Sequence, residues 1–266
     1  TLRRGDSAQA QPAPYWDVHF SNDNPIGLAD AQVELRERVK ESVRLRMIAD
    51  VPLGAFLSGG VDSSAVVATM AGLSDSPVHT CAIGFDDPRF NESAFAQQVA
   101  DRYHTDHELD VVRSDDFDLI DTLARLYDEP FADSSAIPTY RVCQMARKHV
   151  TVALSGDGGD ESLGGYRRYR MHQGEEALRN CLPHGLRRPL FGALGQMYPK
   201  ADWAPRPLRA KTTLQALAMD SVQAYHHSMS HLLADQRQVL FSAAFQRCLG
   251  GYSSLNVFRQ YALQTE

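Results

Sequence analysis

Two clusters of glycine, hydroxyl and acid could carry chemistry in this chain. The first, Ser58-Gly59-Gly60-Val61-Asp62-Ser63-Ser64, joins the apolar run Leu53 to Leu57 to a second one, Ala65 to Met70. Read as strand, glycine turn and helix start, it is an anion site. Glycines let the backbone come close to a ligand, and the free N–H groups of a helix start face it with the positive end of the dipole. Ser58, Ser63 and Ser64 add hydroxyl donors. Asp62 would repel a bare phosphate, so an acid here calls for a magnesium ion between it and the phosphate oxygens. The loop is not the lysine-bearing pattern G-x-x-x-x-G-K-[ST], because no lysine lies between Lys40 and Lys148.

The second cluster follows the apolar run Val150 to Leu154: Ser155-Gly156-Asp157-Gly158-Gly159-Asp160-Glu161, then Gly164-Gly165-Tyr166. If the two preceding strands neighbour each other, both glycine turns open into one crevice. Asp62 and Asp160 could then hold one magnesium ion from opposite sides, as hard oxygen ligands suit that ion. The plainer readings are a glycine–serine turn before an ordinary helix and a flexible acidic loop. Directly after buried strands, these spacings favour the ligand site in both cases.

The elements that must position these clusters alternate. Leu28 to Ile48 is an amphipathic helix with Ala31, Leu35, Val39, Val43 and Met47 in one row and a solvated charge run elsewhere. Val78 to Phe85 reads as a strand, Glu92 to Tyr103 as a helix with Asn91 as its N-cap, and Glu108 to Val112 as a third strand. Asp115 to Tyr127 and Ala136 to Lys148 read as helices, and Val150 to Leu154 as a buried strand. The expected fold class is α/β, a doubly wound and mostly parallel sheet whose ligands sit beyond the carboxyl ends of the strands. Past Arg170 strand signals stop. Leu178 to Tyr198, Thr213 to Leu233 and Gln236 to Leu249 read as helices of a second, helical region, with Phe191, Trp203, Leu214, Tyr225 and Phe245 as its core. Residues 1–24 read as a linker or arm, 25–170 as the α/β domain and 171–266 as the helical extension.

With 266 residues the chain can bury a sizeable core, and its net charge of −6 offers no electrostatic footprint for nucleic acid or an anionic membrane. No apolar run approaches a membrane span and no signal peptide opens the sequence. Cys81, Cys143, Cys181 and Cys248 are widely spaced and read as reduced core residues of a cytoplasmic protein. His104 and His107 lack two further spaced ligands, so a structural role outweighs metal binding for them.

The residues Ser58 to Ser63 resemble the pyrophosphate-binding loop (PP-loop) of ATP pyrophosphatases. The pair SGGVDS and LSGDGGDESLGGY, about 95 residues apart, is similar to the synthetase domain of glutamine-hydrolysing asparagine synthetases. The segment Asp128 to Pro138 between them and the strand residues Thr80 to Phe85 fit the same family. Residues 170–266 most resemble the related amidotransferases found with bacterial exopolysaccharide and exosortase gene clusters. The resemblance implies a pyrophosphate and magnesium site at Ser58, Gly59, Gly60, Asp62 and Ser63, and adenosine against Phe56, Leu57, Ile83, Ser155 and Gly156. It implies that Asp157 serves formation of the acyl-adenylate and that Asp160 is the second magnesium ligand. ATP and Mg2+ are thus expected, with a small carboxylate, aspartate by default, as acceptor.

Two departures from the family shape further expectations. The family's nucleophilic cysteine at the start of a glutaminase domain has no match, so ammonia is expected from a glutaminase domain outside this chain. The family's C-terminal lysine has no clear match either, Lys211 being the nearest, and the chain reads as an excised synthetase domain. Arg167 and Arg168 could neutralise phosphate charge, although arginines after a loop are more often solvated. Arg141 is the closest arginine to pair with an acceptor carboxylate. Two other functions compete: another PP-loop ligase, such as an NAD or GMP synthetase or a tRNA-thiolating enzyme, and a catalytically silent nucleotide-binding module. The acidic second cluster and the lack of a basic stripe argue against the first. Nucleotide binding without product would mark the second. Nothing in the residues fixes the oligomeric state.

Overall fold

A computed structural model of the chain describes residues 13–18, 25–89, 91–112, 119–129, 131, 133–199, 203, 205 and 210–264. It divides into two compact units, one of residues 26–166 and one that joins residues up to 25 with those from 167 onward. The first unit holds α1 (Leu28–Arg46), β1 (Leu53–Phe56), α2 (Val61–Leu73), β2 (His79–Phe85), α3 (Ser93–Tyr103), β3 (Asp106–Val112), α4 (Ile120–Leu126), α5 (Ala136–Ala146), β4 (Val152–Leu154) and α6 (Gly159–Leu163). Its four strands are all parallel, in the order β3-β2-β1-β4.

The sheet is covered on both faces because its strands are apolar on both. Ala55 and Leu57 point into a cluster with Val67 and Met70 of α2, Val43 of α1, and Ala96 and Ala100 of α3. Alternate residues Cys81, Phe56 and Ile83 face the other way, against Met145, Ala146 and Val142 of α5 and against Val150. Glycine suits the close pairing of β1 with β2: a Cβ on Gly54 would stand 2.6 Å from the carbonyl of its register partner His79. The expected α/β class with a doubly wound parallel sheet is therefore what the chain folds into.

Several local expectations change. β4 is an edge strand rather than a buried one, with Val152 40% exposed, because among the described residues it pairs with β1 alone. The apolar row of α1 is unevenly covered: Val43 is buried, whereas Leu35 is 41% exposed. Asn91 acts one residue before the N-cap, accepting from the Ser93 N–H at 3.0 Å. The helix expected from Asp115 is described only from Ile120, its first residues lying outside the described set. Of the cysteines only Cys81 is buried; Cys143, Cys181 and Cys248 lie on exposed helix faces. No helix among the described residues is long and apolar enough to cross a membrane.

The second unit is helical, as expected, but cut differently. It holds α7 (Arg167–Cys181), α8 (His184–Met197), α9 (Lys211–Ala218), α10 (Ser221–Met229), α11 (Ala234–Leu240), α12 (Ala243–Leu249) and α13 (Leu255–Ala262). Pro183 separates α7 from α8, while Pro189 is tolerated inside α8. The expected core is only partly right: Trp203 is 89% and Phe245 49% exposed. Tyr225 instead packs in an aromatic group with Tyr169, His172 and Phe258. Two buried arginines fill the interior. Arg187 donates to the Leu217 and Met219 carbonyls, both at 2.7 Å, and Arg179 to the Ala216 carbonyl at 3.1 Å. Arg187 thereby supplies donors at the end of α9, whereas Arg179 shares the Ala216 carbonyl with the Met219 N–H and pairs chiefly with Glu175, at 2.9 Å, and Glu176. Residues 1–12 and 19–24 of the expected arm lie outside the described set; within 13–18, Asp17 accepts from the Tyr261 hydroxyl at 2.8 Å.

Candidate functional site

β1 lies between β2 and β4: the chain runs from β1 outward through β2 to β3 and then crosses back to place β4 on the other side of β1. Such a reversal of strand order opens a crevice at the carboxyl ends of the two strands, where ligands of open α/β sheets bind. The glycine turns Ser58 to Gly60 and Ser155 to Gly159 follow these two strands. The fold therefore brings together two clusters that are far apart in sequence.

The first turn is pre-shaped. Gly59 has φ +81°, and a Cβ there would meet Phe95 Cβ and the Ala96 nitrogen at 2.6 Å, so only glycine fits. The Ser63 hydroxyl, 7% exposed, is 2.9 Å from Ser58 Oγ and accepts from the Ser58 N–H at 3.2 Å. Ser58 Oγ in turn accepts from the Gly60 N–H at 3.2 Å. These bonds fold the loop back on the start of α2. Gly60 supplies no side-chain cap to that helix, which leaves its first-turn amides open to an anion.

The second turn presses on the first. A Cβ on Gly156 would stand 2.5 Å from the Ser63 nitrogen, and one on Gly159 2.5 Å from Asp62 Oδ2. Asp62 and Asp160 are both half-buried, and a Cβ on Gly165 would overlap the Asp160 carboxylate. Neither carboxylate has a side-chain hydrogen-bond or ion-pair partner among the described residues. Two such acids beside an anion-binding loop fit a hard divalent cation such as Mg2+. Three acids do not converge, however. Among the described residues the group of three acid, histidine or cysteine ligand atoms within 4.8 Å is His79, Glu108 and His149, not Asp62, Asp157 and Asp160. Asp157 is exposed and accepts from the Ser155 hydroxyl at 3.0 Å, while the Tyr166 hydroxyl donates to Glu161 at 2.7 Å.

The positions expected to hold adenosine divide by layer. Leu57 is 1% exposed in the core under α2, so only its main chain can reach a ligand. Phe56 and Ile83 are half-buried on the opposite face. Ser155 and Gly156 begin the second turn, half-buried. Arg167, Arg168 and Lys211 belong to the helical unit. Arg141 lies on α5 and donates to Gln144 at 3.2 Å.

Sequence reasoning missed two features of the α/β unit. A cavity of about 620 Å3 is lined by Ile120, Leu123, Tyr127, Phe131, Asp133 and Ile137, among others, with none of the glycine-turn residues in its wall. The Asp128 to Pro138 segment thus borders an apolar cleft, its Tyr127 and Phe131 rings stacked 4.3 Å apart. The other feature is the histidine group: His79 and His149 come together only through the fold. His104 and His107 do not join it. His104 caps α3 with φ +52°, and His107 Nδ1 is 2.9 Å from the Thr80 hydroxyl.

Comparison with known proteins agrees with this geometry. A family model described as asparagine synthase matches residues 34–263. A putative glutamine-hydrolyzing asparagine synthetase 2 of Methanocaldococcus jannaschii is 49% identical over 135 residues, covering 50% of this chain and 26% of that protein. Glutamine-hydrolyzing asparagine synthetase 1 of Bacillus subtilis is 34% identical over 212 residues, 76% of this chain and 32% of that protein. A putative glutamine-hydrolyzing asparagine synthetase of Mycobacterium bovis is 34% identical over 223 residues, 83% of this chain and 32% of that protein. The chain thus spans a quarter to a third of the length of these relatives. Switch-point glycine turns and a match over most of its length place the chain in the asparagine synthase family, as a synthetase domain.

Proposed function

We propose that this chain is the ATP-consuming part of a carbon–nitrogen ligase, an amidotransferase that adenylates a carboxylate and passes it to ammonia. The observation that carries the reading is the pressing of Gly159 onto the Asp62 carboxylate at the sheet's switch point. That contact fits one divided site better than two separate turns. The relatives' names make aspartate the first acceptor to test and glutamine, hydrolysed by a partner domain, the source of ammonia.

In this scheme the loop Ser58 to Ser63 holds the β- and γ-phosphates with its backbone amides and hydroxyls. Asp62 and Asp160 are the residues that would hold Mg2+, which when bound offsets the charge on the leaving pyrophosphate. Ser155 and Gly156, with Phe56 and Ile83 of the neighbouring strands, would lie along the nucleoside. An oxygen of the acceptor carboxylate attacks the α-phosphorus, and the bond from that phosphorus to the bridging oxygen breaks with release of pyrophosphate. Ammonia then attacks the acyl carbon, AMP leaves, and one proton is lost. Asp157, oriented by Ser155, faces solvent where an acceptor could arrive and is assigned to positioning it for the first step.

Exchange of labelled pyrophosphate into ATP, with aspartate and magnesium, tests the reading. Exchange by the wild-type chain that vanishes in Asp62→Ala supports it. Magnesium-dependent ATP binding without exchange in any carboxylate tried would favour a silent nucleotide-binding module, and absence of ATP binding would sink the proposal.

A further inference from the structure

We propose a second metal site, for a transition-type divalent cation such as Zn2+, formed by His79, Glu108 and His149 on the α5-covered face of the sheet. His79 opens β2, Glu108 is the third residue of β3, and His149 lies in the turn between α5 and β4. Their ligand atoms all lie within 4.8 Å of one another. In a tetrahedral zinc site, with bonds of about 2.0–2.1 Å, ligand atoms stand roughly 3.3 Å apart, so small side-chain rotations close the set.

The surroundings match what a metal histidine requires. His79 Nδ1 is 2.9 Å from Asp106 Oδ2, while its Nε2 is buried with no hydrogen-bond partner. A carboxylate on one ring nitrogen fixes the tautomer and leaves the other lone pair free for a metal. An orphaned buried nitrogen is otherwise a cost that folded proteins avoid. His149 Nε2 is 2.9 Å from Glu108 Oε2, and the His79 and His149 rings are 4.5 Å apart. Lys148 Nζ is 3.5 Å from the other oxygen, Glu108 Oε1, so the carboxylate can turn Oε2 to a metal and keep its second contact. Two imidazoles and one carboxylate select zinc-like ions over magnesium. With the Glu108 and His149 side chains 33% and 47% exposed, the open side admits water as a fourth ligand. The ion would tie β2, β3 and the entry to β4 together at the amino end of the sheet, on the far side from the glycine turns, as a structural clamp.

The test is calorimetric titration of the chelator-treated full chain with Zn2+, magnesium being present throughout to fill any oxygen site. One equivalent should bind. Asp106→Ala, which touches only the far nitrogen of His79, should weaken binding about 10–100-fold. His149→Ala should weaken it at least as much, and Asp62→Ala should leave it unchanged. With Co2+ instead, the wild type should show the intense visible bands of a four-coordinate site and His149→Ala should not. Absence of binding, or equal affinity in wild type, Asp106→Ala and His149→Ala, would overturn the proposal. So would loss of zinc binding in Asp62→Ala. Asp106 is 74% exposed on an edge strand, so its variant keeps the comparison open should His149→Ala fold poorly.

Discussion

The two units solve the same problem, filling an interior, with opposite materials. In the α/β unit the largest fully buried side chains are Leu57, Met70 and Val67, and backbone partners come from the sheet. In the helical unit the buried apolar side chains among the described residues are Ala216, Leu217 and Ala224, and Arg179 and Arg187 share the interior at 6% exposure each. One unit is held by apolar area, which is non-directional. The other leans on charged hydrogen bonds, from Arg187 to carbonyls and from Arg179 to Glu175, Glu176 and one carbonyl, that hold only in one geometry. A sheet whose backbone is already satisfied can give up side chains at its carboxyl end, and glycine turns make a site there without loosening the core. The helical unit has no comparable surplus.

Leu57→Ala tests the first half of that contrast and should have the largest effect. It removes a fully buried side chain and leaves a cavity, so unfolding free energy should fall by about 3 kcal/mol in denaturant titration. A loss below about 1 kcal/mol would mean that the core is loosely packed. Gly159→Ala separates site from core. The added methyl overlaps the Asp62 carboxylate without touching apolar packing, so pyrophosphate exchange should fall about 100-fold while stability stays nearly unchanged. Equal losses in both would show the turn to be part of the scaffold rather than the site.

Arg187→Met turns to the helical unit. Methionine replaces the apolar stem but abandons the Leu217 and Met219 carbonyls, and stability should drop by about 2 kcal/mol. Should the variant be neutral, the end of α9 does not depend on this capping, and the difference between the units disappears.

Legibility in the sequence follows the same divide. The strands and the turns at Ser58 and Ser155 could be read because apolar runs and glycine punctuation are local signals. That β1 and β4 are neighbours is a long-range fact, yet the chemistry of the two clusters anticipated it. The edge exposure of β4 was hidden, since an apolar run looks the same at the edge and in the centre. In the helical unit Trp203 and Phe245 read as core by type and are exposed, while Arg179 and Arg187, which no sequence signal singled out, are buried. No periodicity marks Arg187, whose partners are carbonyls thirty residues away, and the Glu175 and Glu176 partners of Arg179 look the same on a solvated helix face. His79 and His149 were invisible for the same reason: their association is made by strand register and a turn.

His226 offers the smallest and finest probe of the helical unit. Its ring is half-buried against Phe258, with centroids 5.1 Å apart, and Nε2 is 2.8 Å from Ser254 Oγ. Burial, aided by the charges of Arg237 and His227, lowers its pKa below the usual 6.5. A histidine depressed in the folded state stays neutral there while the unfolded chain takes up the proton. Its contribution is therefore fully present above about pH 6.5 and is lost as pH falls from there through the folded pKa. A whole proton of difference would give a slope of about 1.4 kcal/mol per pH unit, and a partly hydrated ring gives only a fraction of it. Denaturation midpoints measured between pH 7.5 and 5 should thus fall less steeply in His226→Gln than in wild type, with the curves meeting near neutrality. Parallel curves would mean that the ring is as well hydrated folded as unfolded, and that the aromatic group around Tyr225 is no more of a core than the exposed rings beside it.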